Sequence, residues 1–319
     1  MTSSSESKEV ELDFSPYLKV YKDGTVERIF GSPFVPPSLD DPITNVSSKD
    51  ITISSQISAR IYLPKLTDPN KKLPVLVYYH GGGFCLESAF SFLHHRYLNQ
   101  IVSKANVVAV SVEYRLSPEH PLPAAFEDSW AALQWVASHS VKGSEINGEK
   151  EPWIIDYGDF DQVYVGGDSA GGNIAYNMAV KAGDDNESLV GGVKILGAVL
   201  AFPYFCDLET KKESMAYQMW MFVYPSVPGG INNPLINPFA DSAPDLSKIG
   251  CRKVFLCCAE KDDLRDANLH YVKALKKSGY EGEVELVDVE GEDHCFQAFD
   301  PYTDKAQSLI SKMASFIRG

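Results

Sequence analysis

No stretch of this sequence concentrates positive charge. Its 319 residues carry 29 Lys and Arg against 43 Asp and Glu, a formal net charge of −14. Phosphate backbones and anionic lipid surfaces are held by clustered cations, so nucleic acid and membrane are poor partners. The acidic balance reads instead as a solubilising surface. Long apolar runs are also missing. The longest, around residues 195–205, falls far short of the roughly 20 residues that cross a bilayer. The first ten residues are rich in Ser and Glu and have no apolar segment, unlike a secretion signal. Cysteine is sparse and unpatterned: Cys85, Cys206, Cys251, Cys257, Cys258 and Cys295 form no C-x-x-C pair and no ligand spacing. No disulfide framework, metal or other cofactor is therefore expected, and the thiols predict a reducing, cytoplasmic setting. There is no internal repeat.

What is present is an ordinary globular composition, 44% hydrophobic and 23% charged, enough for a core without staples. Short, nearly continuous apolar runs at 75–79, 107–112, 163–165, 194–200 and 254–258 read as strands covered on both faces. Residues 57–63 alternate, which predicts a half-buried edge strand, and 284–289 is a further strand. Between them lie helical patterns. One opens at Pro123 and carries Phe126, Trp130, Leu133, Trp135 and Val136; others cover 173–181, 266–277 and 305–317. Strands alternating with helices predict an α/β fold with a mainly parallel central sheet flanked by helices. The length fits one domain, 1–319, with a lid. The lid is assigned to two segments that break the rhythm. One is about 1–45, punctuated by Pro33, Pro36, Pro37 and Pro42. The other is 206–244, a helical stretch with Met215, Met219, Trp220, Met221, Phe222 and Tyr224 followed by an irregular loop. That stripe reads as core or as an adaptable surface over an apolar substrate.

Three distant motifs carry chemistry. Gly167-Asp168-Ser169-Ala170-Gly171 is a G-x-S-x-G between a short strand and a helix, the setting of a nucleophile elbow that lifts a serine hydroxyl above a sheet. His80-Gly81-Gly82-Gly83 follows the strand at 75–79 and reads as an oxyanion loop, with the N–H groups of Gly82, Gly83 and Ala170 as donors. A hydroxyl needs a base. Of the seven histidines, His80 belongs to the loop, and His94, His95, His120, His139 and His270 have no sequence reason to face the sheet's top. His294 follows the last strand-like run, where a loop leaves the carboxyl edge of the sheet. The carboxylate that orients the imidazole is sought in the loop after 254–258, with Asp262 first and Asp263 and Asp266 next.

At these residues the chain resembles the plant carboxylesterases of the hormone-sensitive-lipase-like group, which have the α/β-hydrolase fold. The likeness covers about 12–317. It rests on His80 to Gly83, the run Tyr114-Arg115-Leu116-Ser117-Pro118-Glu119-His120-Pro121-Leu122-Pro123-Ala124-Ala125, the elbow with Gly172 and Asn173, and the segment Asp262 to Asp266. In that group the acid is the first Asp of D-x-L-x-D, which falls on Asp262. Within it the chain is similar to the 2-hydroxyisoflavanone dehydratases and the catharanthine and tabersonine synthases. The stretches Tyr17-Leu18-Lys19-Val20-Tyr21-Lys22-Asp23-Gly24, Val35-Pro36-Pro37-Ser38-Leu39 and Phe84-Cys85-Leu86-Glu87-Ser88-Ala89-Phe90 carry the second likeness. The resemblance implies a serine carboxylesterase acting on a small apolar ester through an acyl-enzyme. Its alternative is a dehydratase or cyclase working on a flavonoid or monoterpene indole alkaloid in the same pocket. The cyclases carry Ala within H-G-G-G and lack the histidine, some dehydratases have Thr as nucleophile, and gibberellin receptors lack the histidine. This chain keeps Gly82, Ser169 and His294, which favours hydrolysis.

Overall fold

The computed structural model describes residues 8–68, 70–141 and 150–319. The chain opens with a three-stranded antiparallel sheet, β1 (Val10–Phe14), β2 (Leu18–Tyr21) and β3 (Val26–Arg28). An eight-stranded sheet follows: β4 (Ser47–Thr52), β5 (Ser58–Leu63), β6 (Leu73–Tyr79), β7 (Val108–Glu113), β8 (Gly158–Asp168), β9 (Ile195–Ala201), β10 (Cys251–Ala259) and β11 (Glu283–Val289). Its spatial order is β4-β5-β7-β6-β8-β9-β10-β11. The pairs from β7 through to β11 are parallel, and β4 and β5 are joined antiparallel at one side. The chain leaves β6 to one side for β7 and returns to its other side for β8. In open α/β sheets such a reversal, beyond the carboxyl ends of the strands, is where ligands are taken.

The apolar strands are continuous because helices cover both faces. Val75, Val77 and Tyr79 of β6 belong to a core shared with α2 (Ala124–Ser138), α4 (Ala170–Ala182) and α6 (Arg265–Lys277). Leu76 and Tyr78 point into the opposite core, under α1 (Phe92–Ala105) and α8 (Asp304–Arg318). Smaller helices are α3 (Pro152–Tyr157), α5 (Met215–Val223) and α7 (Phe296–Phe299).

Two expectations need correction. The strand at 57–63 is not the edge; β4 pairs outside it. Its alternating polar residues mislead because both faces are covered: Arg60 is 1% exposed, bonded to Asp50 (2.6 and 2.9 Å) and to the Val35 carbonyl (2.8 Å). Pro123 precedes α2 rather than opening it. The short β4, Ser-Ser-Lys-Asp-Ile-Thr, and the three N-terminal strands carry little apolar pattern and escape a periodicity reading.

Extra segments cap the carboxyl edge. Residues 206–244 hold α5 and an irregular turn-rich stretch. Phe14 of β1 stacks on Phe222 of α5 with centroids 5.6 Å apart, so the N-terminal sheet and the insertion meet. Arg28 ties the N-terminal segment down through Glu119 (2.7 and 2.9 Å) and the carbonyls of Cys85 (2.7 Å) and Ser117 (3.1 Å). On α5, Met219, Trp220 and Val223 are buried, as the core reading expects, while Met215 is exposed.

Candidate active site

The turn after β8 is held in a costly shape. Ser169 has φ 53° and ψ −117°, a conformation disfavoured by about 1–3 kcal/mol for a residue with a side chain. Its N–H donates to Ala201 O (2.9 Å) and its carbonyl accepts from Tyr204 N (2.9 Å), so β9 and the chain beyond it brace the turn. The first turn of α4 then passes directly over the end of β6: a Cβ on Gly171 would lie 1.9 Å from the Tyr79 carbonyl oxygen. Ser169 is half-buried, at the sheet's carboxyl edge.

The other two groups come from the adjacent strands β10 and β11. Their outgoing loops are laced together by Lys261 N–H to Glu292 O (3.0 Å) and Gly291 N–H to a Glu260 carboxylate oxygen (2.7 Å). His294 Nε2 lies 2.8 Å from Ser169 Oγ, and His294 Nδ1 lies 2.8 Å from Asp262 Oδ2. The Asp262 side chain is 2% exposed and that of His294 33%. Asp262 Oδ1 also accepts from Leu264 N–H (2.9 Å), which aims its second oxygen at the ring. Asp263 and Asp266 are exposed and bond neither residue. The edge of Phe202 closes one side of the imidazole, its centroid 6.0 Å away.

The loop after β6 is equally constrained. Gly82 has φ 111°, and a Cβ there would sit 2.2 Å from Leu86 O; Phe84 and Glu87 also take positive φ. Gly82 O accepts from the N–H groups of Cys85 (3.1 Å) and Leu86 (2.8 Å). Among the described residues, the N–H groups of Gly82, Gly83 and Ala170 donate to no protein acceptor. Three free amides at the end of β6 and the start of α4 are suited to receiving an anion. Met219 of α5 packs over Gly83 and against Cys85, its Sδ 3.4 Å from Cys85 Sγ. His80 supports the loop from below. Burial, and then the neighbouring His94, push it down to about 4, so it is neutral; Nδ1–H donates to Gly81 O (2.7 Å) and the ring stacks on Tyr114 at 4.2 Å.

One group behind the site escaped the sequence reading. His94, at the start of α1, does face it. Its Nε2 is 3.4 Å from the Asp168 carboxylate, and Asp168 is the residue before Ser169. Asp168 also accepts from the Tyr78 hydroxyl (2.5 Å) and the Gly81 N–H (3.2 Å). Burial opposes charge at His94, but Asp168 and Glu87 together outweigh it and lift the ring to about 9. Burial likewise works against an ionised Asp168, and His94 and Tyr78 reverse the effect. The available signal was the short connection from His80 to α1, which must bring the first turn of that helix back onto the loop.

A line of ring contacts crosses the cap, from Phe299 to Phe30 (6.2 Å), Tyr17 (5.9 Å), Phe14 (6.4 Å) and Phe222 (5.6 Å). Among the described residues no His/Cys/Asp/Glu group is arranged to hold a metal, and no helix is long and apolar enough to cross a membrane. All six cysteines are buried free thiols.

A doubly covered sheet with a strained serine at its switch point is an architecture with a family behind it. A family model for the alpha/beta hydrolase fold matches residues 76–298, and the chain belongs to that family. It is 55% identical to a 2-hydroxyisoflavanone dehydratase of Glycyrrhiza echinata over 99% of this chain and 98% of the relative. It is 48% identical to the catharanthine synthase of Catharanthus roseus over 100% and 99%. Among solved structures, an esterase of the archaeon Pyrobaculum calidifontis superposes with a TM-score of 0.69 at 31% identity, over 87% of this chain and 86% of that one. The protein is an enzyme.

Proposed function

We propose that the protein is a serine carboxylesterase that cleaves a small apolar ester of plant metabolism. The observation that carries this is the continuous path Ser169 Oγ, His294, Asp262, with both hydrogen-bonded steps at 2.8 Å. Ser169 attacks the ester carbonyl while His294 Nε2 takes its proton. Asp262 holds the ring in the tautomer with Nδ1–H and stabilises the imidazolium. The oxyanion is received by the N–H groups of Gly82, Gly83 and Ala170. His294 returns the proton to the leaving alcohol, and water, activated by the same ring, releases the acyl group. The rings of the cap and Met219 favour an apolar substrate, and Arg28 of the cap is already engaged by Glu119. The same reading places the enzyme in the cytoplasm, with its thiols reduced.

A second reading is supported by the relatives named for dehydration and for synthesis. There His294 acts as base in an elimination or cyclisation and Ser169 forms no acyl bond. Hydrolysis of p-nitrophenyl acetate, together with mapping of the residue labelled by a fluorophosphonate, separates the two. Turnover with label on Ser169 is expected. Absent ester turnover, with conversion of a 2-hydroxyisoflavanone to its dehydrated product, would establish the second reading.

A further inference from the structure

The cluster behind the elbow has a geometry beyond simple packing. Two carboxylates, Glu87 and Asp168, flank one imidazole: His94 Nδ1 is 3.2 Å from the Ser91 hydroxyl and 3.6 Å from Glu87, and Nε2 is 3.4 Å from Asp168. The Gly81 N–H lies between Nε2 (3.3 Å) and Asp168 Oδ1 (3.2 Å), and a protonated Nε2 leaves it to the carboxylate. The side chains of all three are at most 5% exposed. An unpaired carboxylate in such a place is costly, so a single cation between the two is the arrangement the cluster favours. The three residues belong to three parts of the site. Asp168 precedes the nucleophile and accepts the N–H of Gly81, at the root of the amide-bearing loop. Glu87 lies in the left-handed turn that ends that loop. It also accepts the N–H (2.8 Å) and hydroxyl (3.0 Å) of Ser32, in the N-terminal segment laid along 88–93, and bonds the Ser91 side chain.

We propose that His94 is a positioning residue for the oxyanion loop: as an imidazolium between Glu87 and Asp168, it locks residues 81–87 against the elbow and joins the N-terminal segment to the nucleophile's strand. It touches no reacting atom. This rests on the esterase reading of Ser169 and of the Gly82 and Gly83 amides. The charged and titratable groups around the ring are Glu87 in the loop, Asp168 on β8, Tyr78 and His80 at the end of β6, Glu113 at the end of β7, and Tyr97 on α1. The first two set the charge of the ring. His80 stays neutral beside it, 5.4 Å between ring centres.

The test compares the full-length wild type with His94→Gln, using p-nitrophenyl acetate and counting active sites with a fluorophosphonate. The variant is expected to lose about 10- to 100-fold in kcat per labelled site, the scale of a misplaced donor, with KM within about twofold. The wild-type kcat is expected to fall as the pH rises through about 9, and that limb is expected to vanish in the variant. Equal kcat per labelled site, or an unchanged alkaline limb, overturns the proposal; a packing role alone lowers thermal stability and leaves both unmoved. Should His94→Gln not fold, Glu87→Gln serves: it removes one carboxylate and is expected to bring the alkaline limb to lower pH, and an unmoved limb overturns the proposal. Histidine ring NMR reads the charge without turnover, and titration of His94 at 6.5 or below also overturns it. A wild type that neither cleaves the ester nor takes the label, while His94 still titrates near 9, overturns the esterase reading and the kinetic part of this inference with it.

Discussion

The carbonyl oxygen of Tyr79 and the α-carbon of Gly171 approach so closely that a methyl group on the glycine would stand 1.9 Å from the oxygen. The end of β6 and the first turn of α4 therefore share one space, and the glycine loop and the serine turn cannot move apart independently. Gly171→Ala is expected to cost at least about 3 kcal/mol, because the clash is with backbone and no rotamer relieves it. A urea midpoint equal to that of the wild type would show that the contact yields.

Removing the Ser169 hydroxyl tests the proposed chemistry. Ser169→Ala is expected to lower ester turnover at least about 1,000-fold while the melting temperature stays level or rises, since the strained turn loses only a hydroxyl. Unchanged turnover would end the acyl-enzyme account.

Asp262→Asn keeps the shape but presents an N–H where His294 Nδ1 needs an acceptor. The ring is driven toward the wrong tautomer, and kcat is expected to fall by about three to four orders of magnitude. A drop under tenfold would mean that another carboxylate orients His294.

Stability should peak near pH 6.5. His80 and His95 are both pushed down to about 4 mainly by burial, so below 6.5 the unfolded chain takes up protons that the folded one refuses. His80 alone is worth on the order of 3 kcal/mol between 6.5 and 4. His94 has the opposite sign: raised to about 9, its contribution is whole below 6.5 and is lost as the pH rises through 9. Melting temperatures at pH 4.5, 6.5 and 9.5 check both limbs, and His95→Gln should flatten the acid one.

Phe14→Ala removes the ring that joins the N-terminal sheet to α5 at Phe222. KM for an apolar ester is expected to rise about two- to tenfold, in line with an aromatic pair worth about 0.5–1.5 kcal/mol, with kcat nearly unchanged. An unaltered KM would place the substrate away from this seam.

Local patterns carried much of this structure. The runs at 75–79 and 254–258 are unbroken in apolar residues because their strands are covered on both faces, and that continuity is visible without coordinates. The elbow and the glycine loop were legible because each needs small residues within a few positions. Where long-range packing sets the environment, local reading failed. Arg60 looks solvated in sequence, yet it is enclosed with Asp50, so β5 passed for an edge. The choice among Asp262, Asp263 and Asp266 had no local basis in the residues, since all three are carboxylates in one acidic stretch.

The sequence by itself determined the fold class, through the spacing of apolar runs, and the kinds of group available for catalysis, through glycine-dependent turns. Tertiary structure alone decided which distant groups meet. Parallel pairing of β10 with β11 brings Asp262 to His294, and the return of α1 onto the β6 loop brings His94 to Asp168. Those contacts join residues 32 and 74 positions apart. No local preference encodes such a separation; it follows from burying both faces of one sheet at once.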